Sequence, residues 1–125
     1  MQYLLLIYDE ESIWKNMSEA ESGKMFAEYM AFTADIKKSG HFIAGDALQG
    51  VRTATTVRVR DGKTAMTDGP FAETREQLGG YYLIEAKDLD EASKIAARIP
   101  SARIGSIEIR PIMTYAGDFS TVRKD

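Results

Sequence analysis

The spacing of apolar and polar positions changes several times along the chain, and each change marks an element. Residues 2–8, Gln2-Tyr3-Leu4-Leu5-Leu6-Ile7-Tyr8, form one continuous apolar run, the pattern of a strand covered on both faces rather than wetted on alternate positions. Asp9 to Met17 is a polar connector with two bulky residues, Ile13 and Trp14; Trp14 reads first as a residue that closes the core edge. From Ser18 the period becomes helical. Ser18 and Glu21 spell a capping box, Met25, Phe26, Tyr29, Met30, Thr33 and Ile36 recur on one stripe, Lys37 and Lys38 occupy the last turn, and Gly40 follows. Such a stripe is core by default, with pocket lining by its Met and Tyr members as the alternative.

His41 to Leu48 reads as a strand leading to a turn at Gly50. Thr55–Arg60 and Lys63–Thr67 flank Asp61-Gly62, which predicts a hairpin, because Asp-Gly tolerates the positive φ values of a tight primed turn. The chain then enters the loop Asp68–Gly80. Tyr81–Ala86 is a further apolar strand, and Asp88 and Glu91 cap a helix whose stripe is Leu89, Ala92, Ile95, Ala96 and Ile99 and whose end is set by Pro100. Ser106 to Met113 alternates, with Ile107, Ile109, Pro111 and Met113 on one side and Glu108, Arg110 and Ile112 on the other.

The predicted order is strand, helix, strand, hairpin, strand, helix, strand. It implies an α+β fold of the ferredoxin-like type, an antiparallel sheet with two helices on one face. The opposite face would then be bare, yet the first and fifth strands are apolar on both faces. A homodimer with the two open faces together, a dimeric alpha+beta barrel, resolves the conflict. Glu108 and Arg110 would lie on that face, either as a structural ion pair or as part of a site.

Composition narrows the classes. At 125 residues the chain suits one domain, expected over residues 1–117 with a loose tail at 118–125. A net charge of −3 with scattered basic residues gives no reason to expect direct nucleic-acid binding. The apolar start is too short for a signal or membrane segment and cysteine is absent, so a cytoplasmic protein is expected. With His41 as the single histidine, neither a metal nor another cofactor is expected.

Candidate chemistry concentrates in the Asp68–Gly80 loop, where a carboxylate, a Gly-Pro turn, an aromatic anchor and several charges precede a diglycine. Asp68, Glu73 and Arg110 are the candidate catalytic residues. Phe71, Arg75, Glu76, Tyr82 and Glu108 are the candidate substrate contacts. Asp68 would act as a base or polar anchor with Glu73 or Glu76 beside it, and Arg75 or Arg110 would balance an anionic substrate. The competing structural reading makes Asp68 a cap for the Gly-Pro turn.

The runs Ala54–Arg58, Thr67–Thr74, Glu76–Tyr82, Asp88–Ala92 and Gly105–Pro111 together resemble the DGPF-domain branch of the YCII-related family. That resemblance implies a ferredoxin-like dimeric alpha+beta barrel and a likeness to small-molecule enzymes. It also implies an alternative, a regulatory module partnered with an extracytoplasmic-function sigma factor. The shorter YCII branch carries a His-Asp pair with the histidine on the first helix, and residues 18–40 here contain no histidine.

Overall fold

The computed structural model describes residues 1–114, so the tail expected at 118–125 lies outside the described residues. The elements are β1 (Gln2–Asp9), α1 (Glu11–Lys15), α2 (Glu19–Lys38), β2 (Phe42–Ala47), β3 (Thr55–Arg60), β4 (Lys63–Asp68), β5 (Gln77–Glu85), α3 (Leu89–Ala96) and β6 (Ser106–Pro111). Single turns of 3-10 helix cover Val51–Thr53 and Pro100–Arg103. None of the described helices is long and apolar enough to cross a membrane.

The main sheet is antiparallel with strand order β2-β5-β1-β6. β1-α2-β2 and β5-α3-β6 are therefore two interleaved strand-helix-strand units, the ferredoxin-like arrangement that the apolar spacing predicts. Tyr3, Leu5 and Ile7 of β1 and Tyr82 and Ile84 of β5 pack against Phe32 and Ile36 of α2 and against Ala92, Ile95 and Ala96 of α3. Both long helices thus cover one face. On the other face Leu4, Leu6, Tyr8, Tyr81 and Leu83 are only half-buried, so the continuous apolar run of β1 is covered on one side within a single chain.

α2 starts where its capping box predicts. Ser18 Oγ accepts from Glu21 N at 3.1 Å and Ser18 N donates to the Glu21 carboxylate at 3.2 Å, and these Ser18 contacts hold the Glu21 carboxyl below its ordinary range. Its buried residues differ from the predicted stripe, since Met25, Phe32 and Ile36 are buried while Phe26 and Met30 are exposed. The helix sits over the sheet rotated about one position, leaving one edge of the stripe over open space. Leu89, expected in the core, is exposed because it opens the first turn of α3, before the face carrying Ala92 and Ile95 reaches the sheet.

Two further expectations change. The connector after β1 contains a short helix, α1. The β3–β4 hairpin turns at Asp61 and Gly62 with φ of 52° and 73°, but forms a two-stranded sheet of its own, standing off the body with Val57, Val59 and Met66 exposed.

Candidate functional site

A cavity of about 620 Å³ lies between α2 and the sheet, closed at one end by α1 and the segment Leu48–Gly50. Its size is ordinary for a small-molecule site. The α2 edge left over open space, Phe26, Tyr29, Met30 and Thr33, forms one wall. β2 and β5 supply the facing wall, where Gly45 makes room: a Cβ there would meet the Tyr82 ring at 2.7 Å.

Asp9 is the buried charge in this cavity. It ends the β1 face that carries Tyr3, Leu5 and Ile7, and only 6% of it is exposed. The indole Nε1 of Trp14 donates to Asp9 Oδ2 at 3.0 Å. Asp9 Oδ1 takes no hydrogen bond among the described residues, and no fully buried side-chain oxygen there lacks one. Oδ1 therefore keeps some exposure, and since Asp9 lines the cavity a ligand or solvent there can satisfy it.

Two phenols face the same space. The hydroxyl of Tyr29 lies 2.5 Å from Ser101 Oγ, and its ring stands 6.4 Å from that of Trp14. Burial, with a smaller push from the Asp9 charge and opposed by the Ser101 contact, raises the Tyr29 phenol above its ordinary pKa. Tyr82 shares a 2.6 Å hydrogen bond with Thr33 Oγ1 and packs edge-on against Phe32 and Phe42. Burial raises its phenol as well, partly offset by Thr33. Both stay protonated at neutral pH, and Tyr29 is the one of the two close enough to Asp9 to feel its charge.

α1 is pinned by Glu11. Its N–H donates to Gln77 Oε1 at 3.0 Å, and its carboxylate accepts from Val51 N at 2.7 Å. The helix that presents Trp14 is thereby tied both to the start of β5 and to the strand-loop segment beside the cavity.

Of the residues predicted from sequence, Tyr82 lines this cavity. The Asp68–Gly80 loop contributes only its closing diglycine, Gly79 and Gly80. Asp68 is exposed at the end of β4 with no side-chain hydrogen bond among the described residues, and the turn beside it is closed by Gly69 N on Ala54 O at 2.7 Å and Thr56 Oγ1 on Gly69 O at 2.8 Å. Phe71 is 81% exposed and Glu73 is exposed. Arg75 pairs with Glu10 at 2.8 Å, a contact that raises its pKa further, and Glu76 contributes its carbonyl to Thr74 Oγ1. Glu108 and Arg110 pair with each other at 3.4 Å on the open sheet face, away from the cavity. The hairpin carries the start of the loop off the body, so these residues do not converge. His41 bridges Ser39 and Glu91 and ties the start of β2 to α3.

The pattern of the sequence singled out nothing at Asp9, and it assigned Trp14 to the core edge and Tyr29 to a core stripe first, with pocket lining by Tyr29 as the alternative that the cavity bears out. Register held the signal for Asp9: in a strand it follows Tyr3, Leu5 and Ile7 at period two.

Comparison with known proteins agrees with this architecture. An uncharacterised protein of Rhizobium meliloti (strain 1021), R00369, is 36% identical over 117 residues, covering 92% of this chain and 94% of that protein. Among solved structures, the 5-chloro-2-hydroxyhydroquinone dehydrochlorinase of Burkholderia phenoliruptrix AC1100, in complex with 2,5-dihydroxybenzoquinone, superposes with a TM-score of 0.53 at 14% identity, covering 90% of this chain and 94% of that one. That likeness is one of fold. Residues 1–116 match the YCII-related domain, and the chain belongs to the YCII-related family.

Proposed function

We propose that this chain is a small-molecule-binding, enzyme-like protein of the DGPF branch whose ligand occupies the cavity between α2 and the sheet. One observation carries the proposal: Asp9, buried among apolar and aromatic groups, lines the cavity with one carboxylate oxygen that takes no hydrogen bond among the described residues. Leaving a buried carboxylate short of partners costs stability, and such an arrangement is found where a ligand completes it.

The ligand is a planar hydroxylated ring. Trp14, Tyr29, Phe42 and Tyr82 offer aromatic walls, Asp9 Oδ1 accepts the hydrogen of a ring hydroxyl, and the Tyr29 hydroxyl donates to an oxygen on the same ring. The neighbouring dehydrochlorinase, whose complex holds 2,5-dihydroxybenzoquinone, supports this class. Chemically, Asp9 can take the hydroxyl proton, and Tyr29, still protonated, stabilises the oxyanion that results. Ser101, hydrogen-bonded to Tyr29, aligns that donor. The sigma-factor alternative draws no support from the geometry or the comparisons.

A homodimer belongs to the same reading. Leu4, Leu6 and Leu83 on the open sheet face are half-buried within one chain, and a second copy laid face to face would cover them. Light scattering should return twice the chain mass; a stable monomer removes this part.

Trp14 is the sole tryptophan and lines the cavity, so its fluorescence reports occupancy. Titration with dihydroxybenzoquinones and simple phenols should change its emission saturably, and Asp9→Asn should weaken that response. If none of these rings perturbs Trp14, the cavity is not the site.

A further inference from the structure

Among the charged groups lining the cavity, each acid accepts at least one hydrogen bond, whereas the two lysines hold no ion pair among the described residues. Asp9 accepts from Trp14 at 3.0 Å and Glu11 from Val51 N at 2.7 Å, while Asp46, paired across the strands with Tyr81, turns its carboxylate to the open sheet face and accepts there from the Tyr81 hydroxyl at 2.9 Å. Lys15 and Lys37 also line the cavity and form no ion pair among the described residues, while seven other pairs do form there.

The two lysines occupy different ends. Lys15 follows Trp14 and shares the end that holds Asp9 and Glu11. Lys37 lies in the last turn of α2, its ammonium 4.9 Å from the centre of the Phe42 ring. That contact leans the side chain along the cavity wall, because a cation is attracted to an aromatic face. Asp46, four residues further along β2, lies toward the Asp9 end, where its strand pairs with Tyr81. Among the described residues, the Lys37 end thus combines an ammonium outside any ion pair with aromatic walls and has no lining carboxylate beside it. From Tyr29, next to Asp9, to Lys37 is eight residues of α2, about 12 Å of helix rise.

We propose that the cavity selects hydroxyaryl acids, with the ring hydroxyl on Asp9 at one end and a carboxylate, carried on a short chain, on Lys37 at the other. This rests on the reading of the cavity as the ligand site and adds to it a polarity and a specificity-determining residue. An ammonium meeting a carboxylate gives a charge-assisted hydrogen bond, stronger than one to a neutral amide. The same carboxylate turned the other way would sit against Asp9, where like charges repel. Orientation and charge preference therefore come from one pair of residues at opposite ends.

The test is calorimetric titration at low ionic strength with para-hydroxyphenylpropionate, its carboxamide, and phenylpropionate, which lacks the hydroxyl. The acid should bind about fivefold more tightly than the carboxamide, a difference suited to a partly exposed ion pair. Lys37→Gln should bring the two to equal affinity, Lys37→Arg should keep the preference, and phenylpropionate should bind more weakly than the hydroxylated acid. Circular dichroism on each variant checks folding; Lys37 is exposed, so the variants should fold as the parent does. Equal binding of acid and carboxamide overturns the anion site and leaves the cavity reading standing. A preference for the acid that survives Lys37→Gln also overturns it, by assigning the charge to another group. Failure of every compound to bind removes the cavity reading along with the anion site.

Discussion

Replacing Asp9 by Asn separates a functional carboxylate from a structural one, because the two roles predict opposite changes in stability. The substitution keeps the shape and an oxygen able to accept from Trp14 Nε1, whose contact with Oδ2 is 3.0 Å. It turns a hydrogen bond to an ion, worth about 1.5–3 kcal/mol, into a neutral one of about 1 kcal/mol, a loss of about 1 kcal/mol. Against this stands the cost of holding an ion in a site only 6% exposed. The effective penalty for a buried ion is several kcal/mol, reduced here because Oδ1 keeps some exposure beside the cavity, so about 2 kcal/mol is recovered when the charge is removed. The new amide N–H groups can hydrogen-bond to cavity water through the oxygen's former position.

The balance is a gain of about 1 kcal/mol, or a rise in Tm of about 3–5 °C for a chain of this size. Scanning calorimetry on both proteins without ligand measures it, and titration of the same samples with a dihydroxybenzoquinone measures binding, which should fall at least about tenfold as the anionic acceptor is lost. More stable but unable to bind is the signature of a residue kept for function. A fall in Tm would show instead that Asp9 exists to hold Trp14 and α1 in place, and the reasoning from its free oxygen would fail.

Three other outcomes follow from the same geometry. A Cβ at Gly105 would lie 2.1 Å from the Tyr8 carbonyl oxygen and 2.8 Å from Asp9 Cβ, so Gly105→Ala should cost about 3 kcal/mol, seen as a lower urea midpoint at unchanged slope, and should weaken ligand binding by displacing Asp9. Tyr29 and Tyr82 have folded-state pKa values raised by burial; their contribution to stability is fully present below the unfolded value of about 10 and is lost as pH rises through the folded values. Phenolate absorbance should accordingly show a late-titrating component in the native protein that shrinks in Tyr29→Phe. Asp68→Asn, at an exposed residue with no side-chain hydrogen bond among the described residues, should change stability by no more than about 0.5 kcal/mol, and a loss above about 1 kcal/mol in thermal unfolding would restore the capping role.

The fold was legible because its signals are local and mutually consistent. The capping box at Ser18, the Asp61-Gly62 turn and the period-two alternation of β6 each state their own geometry, and together they leave few topologies. The site was not, for two physical reasons. A helical stripe can be rotated by one residue, about 100°, without changing its apparent period; Phe26 and Met30 fit the predicted stripe but line the cavity, while Phe32, outside it, is core. Turn chemistry also reports conformation rather than location. Asp68, Gly69 and Pro70 mark a special turn, which the β3–β4 hairpin holds off the body.

What distinguishes Asp9 from Asp68 is energetic. An exposed carboxylate on a loop costs nothing and so carries little information about function, whereas a carboxylate continuing the Tyr3, Leu5, Ile7 face of a strand must be buried by the same register that buries those three. Because burial of that kind is penalised, its occurrence needs a compensating partner, and among the described residues one donor, Trp14, serves two carboxylate oxygens. The unmatched oxygen is what points to a ligand.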